Sequence, residues 1–183
     1  AEGLAEKVII IEGDSLQVQL PERVDLVVSE IIGSIAKQED VQRIIQDASA
    51  RFLKSSSKSG GVACPQMIPA RCETYIAPVS YAYHSLMRVK PENLRPLRLD
   101  TTSRDIAFLA APQLLEEFDF CSPRGDGSLK DSRDLAFQVM PQGARTSLPF
   151  SGFAMWCRVV LDEKDVIEVQ GQPSQWVYVV ALM

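Results

Sequence analysis

The sequence predicts an α/β half followed by an antiparallel β half, and three observations carry that expectation. Two short β-branched apolar runs, Val8–Ile11 and Val24–Val28, suit strands buried on both faces. Between Glu39 and Leu53 the apolar residues recur at helical spacing. Beyond Arg71 they fall instead in many short extended runs separated by turn residues, which is the pattern of a sheet-rich unit.

In chain order, Val8–Ile11 reads as the first strand and GDSLQVQLPER as a loop, where Gly13-Asp14 can turn and Pro21 blocks a central strand. Val24–Val28 is the second strand. Val41, Ile44, Ile45, Ala48 and Phe52 then share one helical face, with Glu39 and Asp40 at the positive end of the helix. The run Lys54–Gly61, KSSSKSGG, breaks that helix. After Pro65 and Pro69, Cys72–Ala77 opens the second unit, so the boundary falls near Met67–Arg71, giving units 1–70 and 71–183. Strands are expected at Ile106–Ala110, Leu135–Met140, Phe153–Leu161, Val166–Val169 and Trp176–Leu182, with Pro112–Phe118 the one helical segment among them. Met87–Arg104, with two prolines and several arginines, reads equally as a plain loop or as an arm for docking a second copy.

Composition excludes several classes of function. Of the 183 residues 46% are hydrophobic and 23% charged, as in a globular chain with a real core. Nineteen basic against twenty-four acidic residues leave a net charge of −5, which argues against a direct nucleic-acid binder held by a basic surface. No apolar run approaches the roughly 18 residues of a membrane span, and AEGLAEKVIII has no basic start before an apolar stretch. A cytoplasmic protein is expected, with the nucleus also open to it. Cys64, Cys72, Cys121 and Cys157 are widely spaced and read as free thiols. With His84 the single histidine, no metal site is expected, nor a Ser-His-Asp or Cys-His scheme.

The segment that carries chemistry is VDLVVSEIIGSIAKQED, residues 24–40. A buried strand ending in Ser29-Glu30 places a carboxylate at the carboxyl edge of the sheet, where open α/β sheets bind ligands. Glu39 follows nine positions later across a loop containing Gly33, long enough to fold back so that both carboxylates face one point. Two carboxylates on one point repel unless a cation lies between them, and a guanidinium matches them bidentately. A plainer alternative stays open, in which Glu30 is a surface acid at a strand end and Glu39 simply favours a helix N-terminus.

SEIIGSIAKQE resembles the double-glutamate loop of the protein arginine methyltransferases, with Ser-Glu, a glycine three residues after the acid and a second glutamate nine after it. LPERVDLVV resembles that family's fourth strand, and GGVACPQMIPARCETYIAPVS its Gly-x-x-x-Pro passage into a β-barrel. IIGS and IAPVS are closest to the symmetric-dimethylating, type II-like branch, and Ser174-Gln175-Trp176 lies where the family has a Thr-His-Trp or Phe-Ser-Trp loop. The resemblance implies half of a Rossmann-like domain over 1–70 and an antiparallel β-barrel binding substrate over 71–183. It implies transfer of a methyl group from S-adenosylmethionine to an arginine of a protein substrate, by a chain that forms homo-oligomers. Glu30 and Glu39 would grip the arginine and act in catalysis, Trp176 would wall the pocket beside Gln175, and Asp14, Ser15 and Ser29 would hold the cofactor. The reaction would be direct displacement at the sulfonium methyl, so catalysis is alignment and charge placement. A guanidinium titrates above about 12; the carboxylates would draw its charge to the distal nitrogens and a base would take the proton as the bond forms.

Two departures qualify the resemblance. Gln175 stands where many members have histidine, which bears on product type. The ten glycines contain no Gly-x-Gly-x-x-Gly after a strand; the one Gly-x-Gly, Gly125-Asp126-Gly127, lies in a charged loop. The cofactor site is therefore expected to be incomplete, the chain alone to be inactive, and the edge formed by Val8–Ile11 and Val24–Val28 to be open. The competing class is a non-catalytic methyltransferase-like scaffold or dimerisation module. A small-molecule methyltransferase is disfavoured by the β-rich tail and the second glutamate.

Overall fold

The computed structural model describes residues 3, 7–54, 66–86, 95–121, 134–139 and 148–183. Its elements are β1 (Val27–Val28), a 3-10 turn (Gln38–Asp40), α1 (Val41–Phe52), β2 (Met67–Ile68), β3 (Arg71–Tyr81), β4 (Leu97–Asp100), β5 (Ile106–Phe108), β6 (Gln113–Asp119), β7 (Gly152–Val160), β8 (Val166–Glu168) and β9 (Val177–Leu182). His84–Leu86 adds a second 3-10 turn.

In the N-terminal part β1 pairs with β2 in parallel, and Val24 bridges Leu53 in the same sense. Helix α1 buries Val41, Ile45 and Ala48, three members of the expected apolar face. It begins two residues later than expected because Glu39 and Asp40 take positive φ of 62° and 55°. At its other end Arg23 Nη1 donates to the carbonyls of Ala50 and Leu53 at 2.9 and 2.6 Å, partnering carbonyls that no later helical turn can reach. Arg51 pairs with Asp47 and also donates to the carbonyls of Val18 and Ser15, which ties the loop after Asp14 to the helix. The Ser/Gly run beyond Lys54 lies outside the described residues.

Val8–Ile11 departs from expectation: it is irregular, and Ile9 and Ile10 are 78% and 90% exposed. β-Branched residues form a strand only where a neighbour supplies ladder bonds and a face to bury. Among the described residues these four have neither. Val28, paired with Ile68 of β2, is also exposed.

The C-terminal part is one seven-stranded antiparallel sheet in the order β4-β9-β7-β3-β5, with β6 also on β3 and β8 also on β7. The described pairings run from β4 to β5 as an open path and close no ring. Its centre is the β3–β7 ladder, in register from Arg71↔Val160 to Val79↔Gly152. Each long strand has two short partners on its outer side: β6 then β5 along β3, and β8 then β9 along β7. Pro78 sits in mid-strand where β6 has ended at Ile76 and β5 begins at Val79; its carbonyl accepts from Leu109 N at 2.9 Å on that side. The missing proline N–H thus falls at the hand-over between partners. The core is led by Trp156, Tyr178, Cys72, Cys157, Val79, Val159 and Val180. Phe108, Trp156 and Tyr178 meet edge to face at 5.4–5.7 Å.

Three sequence expectations need correction here. Pro112–Phe118, read as helical, is strand β6. Its Leu-Leu-Glu-Glu favours helix locally, but Glu116 and Phe118 are buried while Glu117 and Asp119 are exposed, a two-residue period set by pairing with β3. The stretch Met87–Arg104, read as a plain loop or an arm, contributes β4, which pairs with β9 from Leu97↔Val180 to Asp100↔Val177. Leu135–Met140, read as a strand, is represented in residues 134–139 by a single bridge, Ala110↔Val139.

Candidate functional site

After β1 the chain crosses to the β sheet. Residues 31–36 alternate half-buried and buried, with Ile32, Ser34 and Ala36 inward, as the chain passes from an irregular stretch at 31–33 into a bend and turn at 34–37. Each inward residue has a tie to the sheet. The Ile32 carbonyl accepts from Trp176 Nε1 at 2.8 Å. Ser34 Oγ accepts from Val177 N at 3.5 Å and from Arg98 Nη2 at 3.3 Å. Ala36 N donates to Thr74 Oγ1 at 2.8 Å, and the Thr74 hydroxyl donates to Glu116 Oε1, also at 2.8 Å.

The loop is also closed on itself. Gln38 Oε1 accepts from Ser34 N at 2.9 Å, and Gln38 N donates to the Ile35 carbonyl at 3.1 Å. That fold-back brings the Gln38 side chain over Gly33, where a Cβ would lie 2.5 Å from Gln38 Cβ. Glycine at position 33 is therefore a condition of this loop shape. Asp40, just beyond it, pairs with Arg43 on an exposed face.

Of the residues the sequence nominated, the structure brings together Glu30, Gln175 and Trp176. Gln175 Nε2 donates to Glu30 Oε1 at 3.2 Å, across 145 positions of sequence. Both groups are exposed, and half-buried Trp176 sits beside them through its bond to Ile32. Glu39 lies on the same anchored loop, exposed, in the 3-10 turn before α1. Ser29 N donates to the Ile68 carbonyl at 2.9 Å, continuing the β1–β2 pairing.

Asp14 and Ser15 lie apart, on the exposed turn held by Arg51. The Asp14 carboxylate accepts from Leu16 N at 2.9 Å and from Gln17 Nε2 at 3.3 Å, so both oxygens are engaged within its own turn. The Ser15 carbonyl is taken by Arg51. The three residues proposed for S-adenosylmethionine thus lie in two places, Asp14 and Ser15 in this turn and Ser29 beside the β1–β2 pairing.

Sequence reasoning missed Ser34, Arg98, Thr74 and Glu116, the groups that fix the loop. Ser34 adjoins the Gly33 of the motif, but its partners lie 64 and 143 positions away. Nothing local marks Thr74 and Glu116.

A second polar cluster lies on the sheet. Buried Glu73 accepts from Arg158 at 3.0 Å and from the Tyr75 hydroxyl at 3.2 Å, with Arg71 Nε 3.1 Å away and Arg158 also paired to Glu168. Hydrogen bonds to both carboxylates raise the Arg158 pKa. Tyr75, Pro112, Trp156, Arg158, Glu168 and Gln170 line a cleft of about 390 Å³ that contains none of the nominated residues. Cys72, Cys121 and Cys157 are free thiols; burial pushes Cys157 up to about 12 and Cys72 well above its usual value. Among the described residues no group of three or more ligands could hold a metal, and no helix is long and apolar enough to cross a membrane.

Comparison with known proteins follows the same lines. No family model matches the sequence. Over 81 residues the chain is 32% identical to the probable protein arginine N-methyltransferase 6 of Arabidopsis thaliana, an alignment covering 44% of this chain and 17% of that protein. The structure matches protein arginine methyltransferase 10 of Arabidopsis thaliana, solved in a uniquely open conformation, over 99% of this chain and 61% of that one, with a TM-score of 0.72 at 20% identity. The fold is that of the protein arginine methyltransferases. A second match, at a TM-score of 0.64 and 15% identity, is the Trypanosoma brucei protein arginine methyltransferase 1 enzyme–prozyme heterotetrameric complex with AdoHcy, over 99% of this chain and 59% of that one. The chain spans about three fifths of the length of these solved relatives.

Proposed function

We propose that the chain is the arginine-gripping portion of a protein arginine methyltransferase, with Glu30 and Glu39 as the carboxylates that hold the substrate guanidinium. The observation that carries this reading is the junction of Glu30 with Gln175 and Trp176, which joins the acid loop of the N-terminal part to the start of β9. In this reading residues 1–70 are the C-terminal half of a Rossmann-like domain and 71–183 the substrate-binding barrel. The IIGS and IAPVS segments and Gln175 in place of histidine favour the symmetric-dimethylating branch. Glu30 and Glu39 draw the guanidinium charge toward themselves and aim the opposite nitrogen; Trp176 limits the directions in which it can lie. S-adenosylmethionine would supply the methyl group, and its binding requires contacts that Asp14, Ser15 and Ser29 do not make by themselves.

Two titrations of the purified chain test this. Acetyl-arginine methylamide should bind and the citrulline analogue should not, because removing the charge removes both ion pairs. Glu30→Gln should weaken binding at least about tenfold, the scale of one charge-assisted hydrogen bond. Equal affinity for the two analogues would sink the pocket. S-adenosylmethionine should bind this chain very weakly; micromolar affinity would show that an assembly of chains completes the cofactor site. The engagement of Asp14 within its own turn favours a second reading, a non-catalytic methyltransferase-like scaffold. Arginine binding without cofactor binding in any oligomeric state of the chain would support it.

A further inference from the structure

We propose that Thr74 and Glu116 are positioning residues for the acid loop: a buried hydroxyl–carboxylate pair beneath it fixes Ala36, and through Ala36 the end of the loop that carries Glu39. Its functional half rests on the arginine-pocket reading; its structural half does not. Thr74 is fully buried and Glu116 is 8% exposed, and they face each other across the β3–β6 ladder. Polar groups in such a place are costly unless their bonds are made. Here each bond has a direction. The Thr74 hydroxyl has one proton and gives it to Glu116 Oε1, so only its lone pairs are left to face the loop, and one of them receives Ala36 N–H. Glu116 therefore acts at a distance, by setting the rotation of a hydroxyl that in turn holds a backbone amide.

The ladder itself is adapted to this. The β3–β6 register shifts between Thr74 and Tyr75, and an irregularity of that kind turns side chains away from the direction the pleat would give them. It falls at the residue whose hydroxyl must reach the loop. The other two ties, at Ile32 and Ser34, secure the Glu30 end. Ala36 is three residues before Glu39 and is the last inward residue before the chain turns into α1. Without its tie the placement of Glu39 relative to Glu30 rests on the Gln38 closure within the loop and on the buried Val41 that begins α1.

The experiment uses the 183-residue chain with Thr74→Val, Thr74→Ser, Glu116→Gln and Glu116→Leu, reading hydrogen exchange at the Ala36 amide by NMR and the affinity for acetyl-arginine methylamide. Thr74→Val should speed Ala36 exchange about tenfold and weaken the probe about as much, while amides of the β3–β7 ladder keep wild-type protection. Thr74→Ser keeps the hydroxyl and Glu116→Gln keeps an acceptor, so both should restore Ala36 protection and affinity; Glu116→Leu should behave like Thr74→Val. If Thr74→Val does not fold, Glu116→Leu set against Glu116→Gln gives the same comparison. Wild-type protection at Ala36 in Thr74→Val, or failure of Thr74→Ser to restore it, would overturn the proposal. So would unchanged probe affinity with an unprotected Ala36. If the wild-type chain does not bind the probe at all, the arginine pocket falls, and the tether is judged on Ala36 exchange alone.

Discussion

Replacing Trp176 by phenylalanine keeps an aromatic body at the start of β9 but removes the indole N–H that bonds the Ile32 carbonyl at 2.8 Å. The loss has two parts: the bond itself, worth about 1 kcal/mol net, and a carbonyl left facing a donor that is gone, which costs about 1–3 kcal/mol where water is excluded. Ile32 is buried but Trp176 only half so, and water can reach part of the vacated position. The lower end applies, about 1–1.5 kcal/mol in favour of an undocked loop, or roughly tenfold in its population. Hydrogen-exchange mass spectrometry should therefore show peptides covering residues 30–38 exchanging about tenfold faster in Trp176→Phe, with the β3–β7 peptides unchanged. Affinity for acetyl-arginine methylamide should fall in step. Exchange in residues 30–38 equal to wild type would refute the reasoning, because the loop would then be held by something other than this bond.

Three further outcomes are expected. In Gly152→Ala the new Cβ would lie 2.0 Å from the Ala181 carbonyl oxygen at a φ of 149°, so β9 must move off β7; a loss of about 2–4 kcal/mol, or about 5–15 °C in Tm, should appear by calorimetry, and an unchanged Tm would contradict the packing described. Iodoacetamide at pH 8.5 should label exposed Cys121, slowly because partial burial raises its thiol too, and spare the buried Cys72 and Cys157, whose thiols burial holds protonated. The same shift sets a stability trend: below the ordinary thiol value both states are protonated, and above it only the unfolded chain ionises. Stability should therefore fall as pH rises from about 9 toward about 12, less steeply in Cys157→Ala, and a slope unaffected by that change would remove Cys157 as a cause.

Much of the fold was legible because its signals are local. Val41, Ile45 and Ala48 mark one face of α1 by spacing alone, and the apolar runs of β3, β7 and β9 announce themselves within a few residues. What was misread depends on distant partners. The Leu-Leu-Glu-Glu of β6 is a strand because β3 supplies its ladder and a hydroxyl for Glu116; β4 is four residues long and is a strand because β9 lies beside it. Val8–Ile11 shows the converse, strand-like residues without a neighbour among those described. At the candidate site, Glu30 and Glu39 stand out in the sequence, and Gln175 and Trp176 were reached through resemblance. The groups that hold the acid loop join residues 38 to 144 positions apart, and no periodicity records that.

The way β3 and β7 divide their partners has a consequence for how the chain assembles. β3, β5 and β6 lie within residues 71–119, and β7, β8 and β9 within 152–182. Pairing within each trio closes shorter loops, from Tyr81 to Ile106 in the first and from Val160 to Val166 in the second, than the ladder that unites them, which closes roughly 70 residues between Tyr81 and Gly152. Loop-closure entropy therefore predicts that the two trios form before their union, with β4 crossing from the first span to β9 as a latch. The acid loop rests on both, on Thr74 from the first and on Trp176 and Val177 from the second. Its docked shape can appear only once the two have joined, so its protection from exchange reports on the last step of folding.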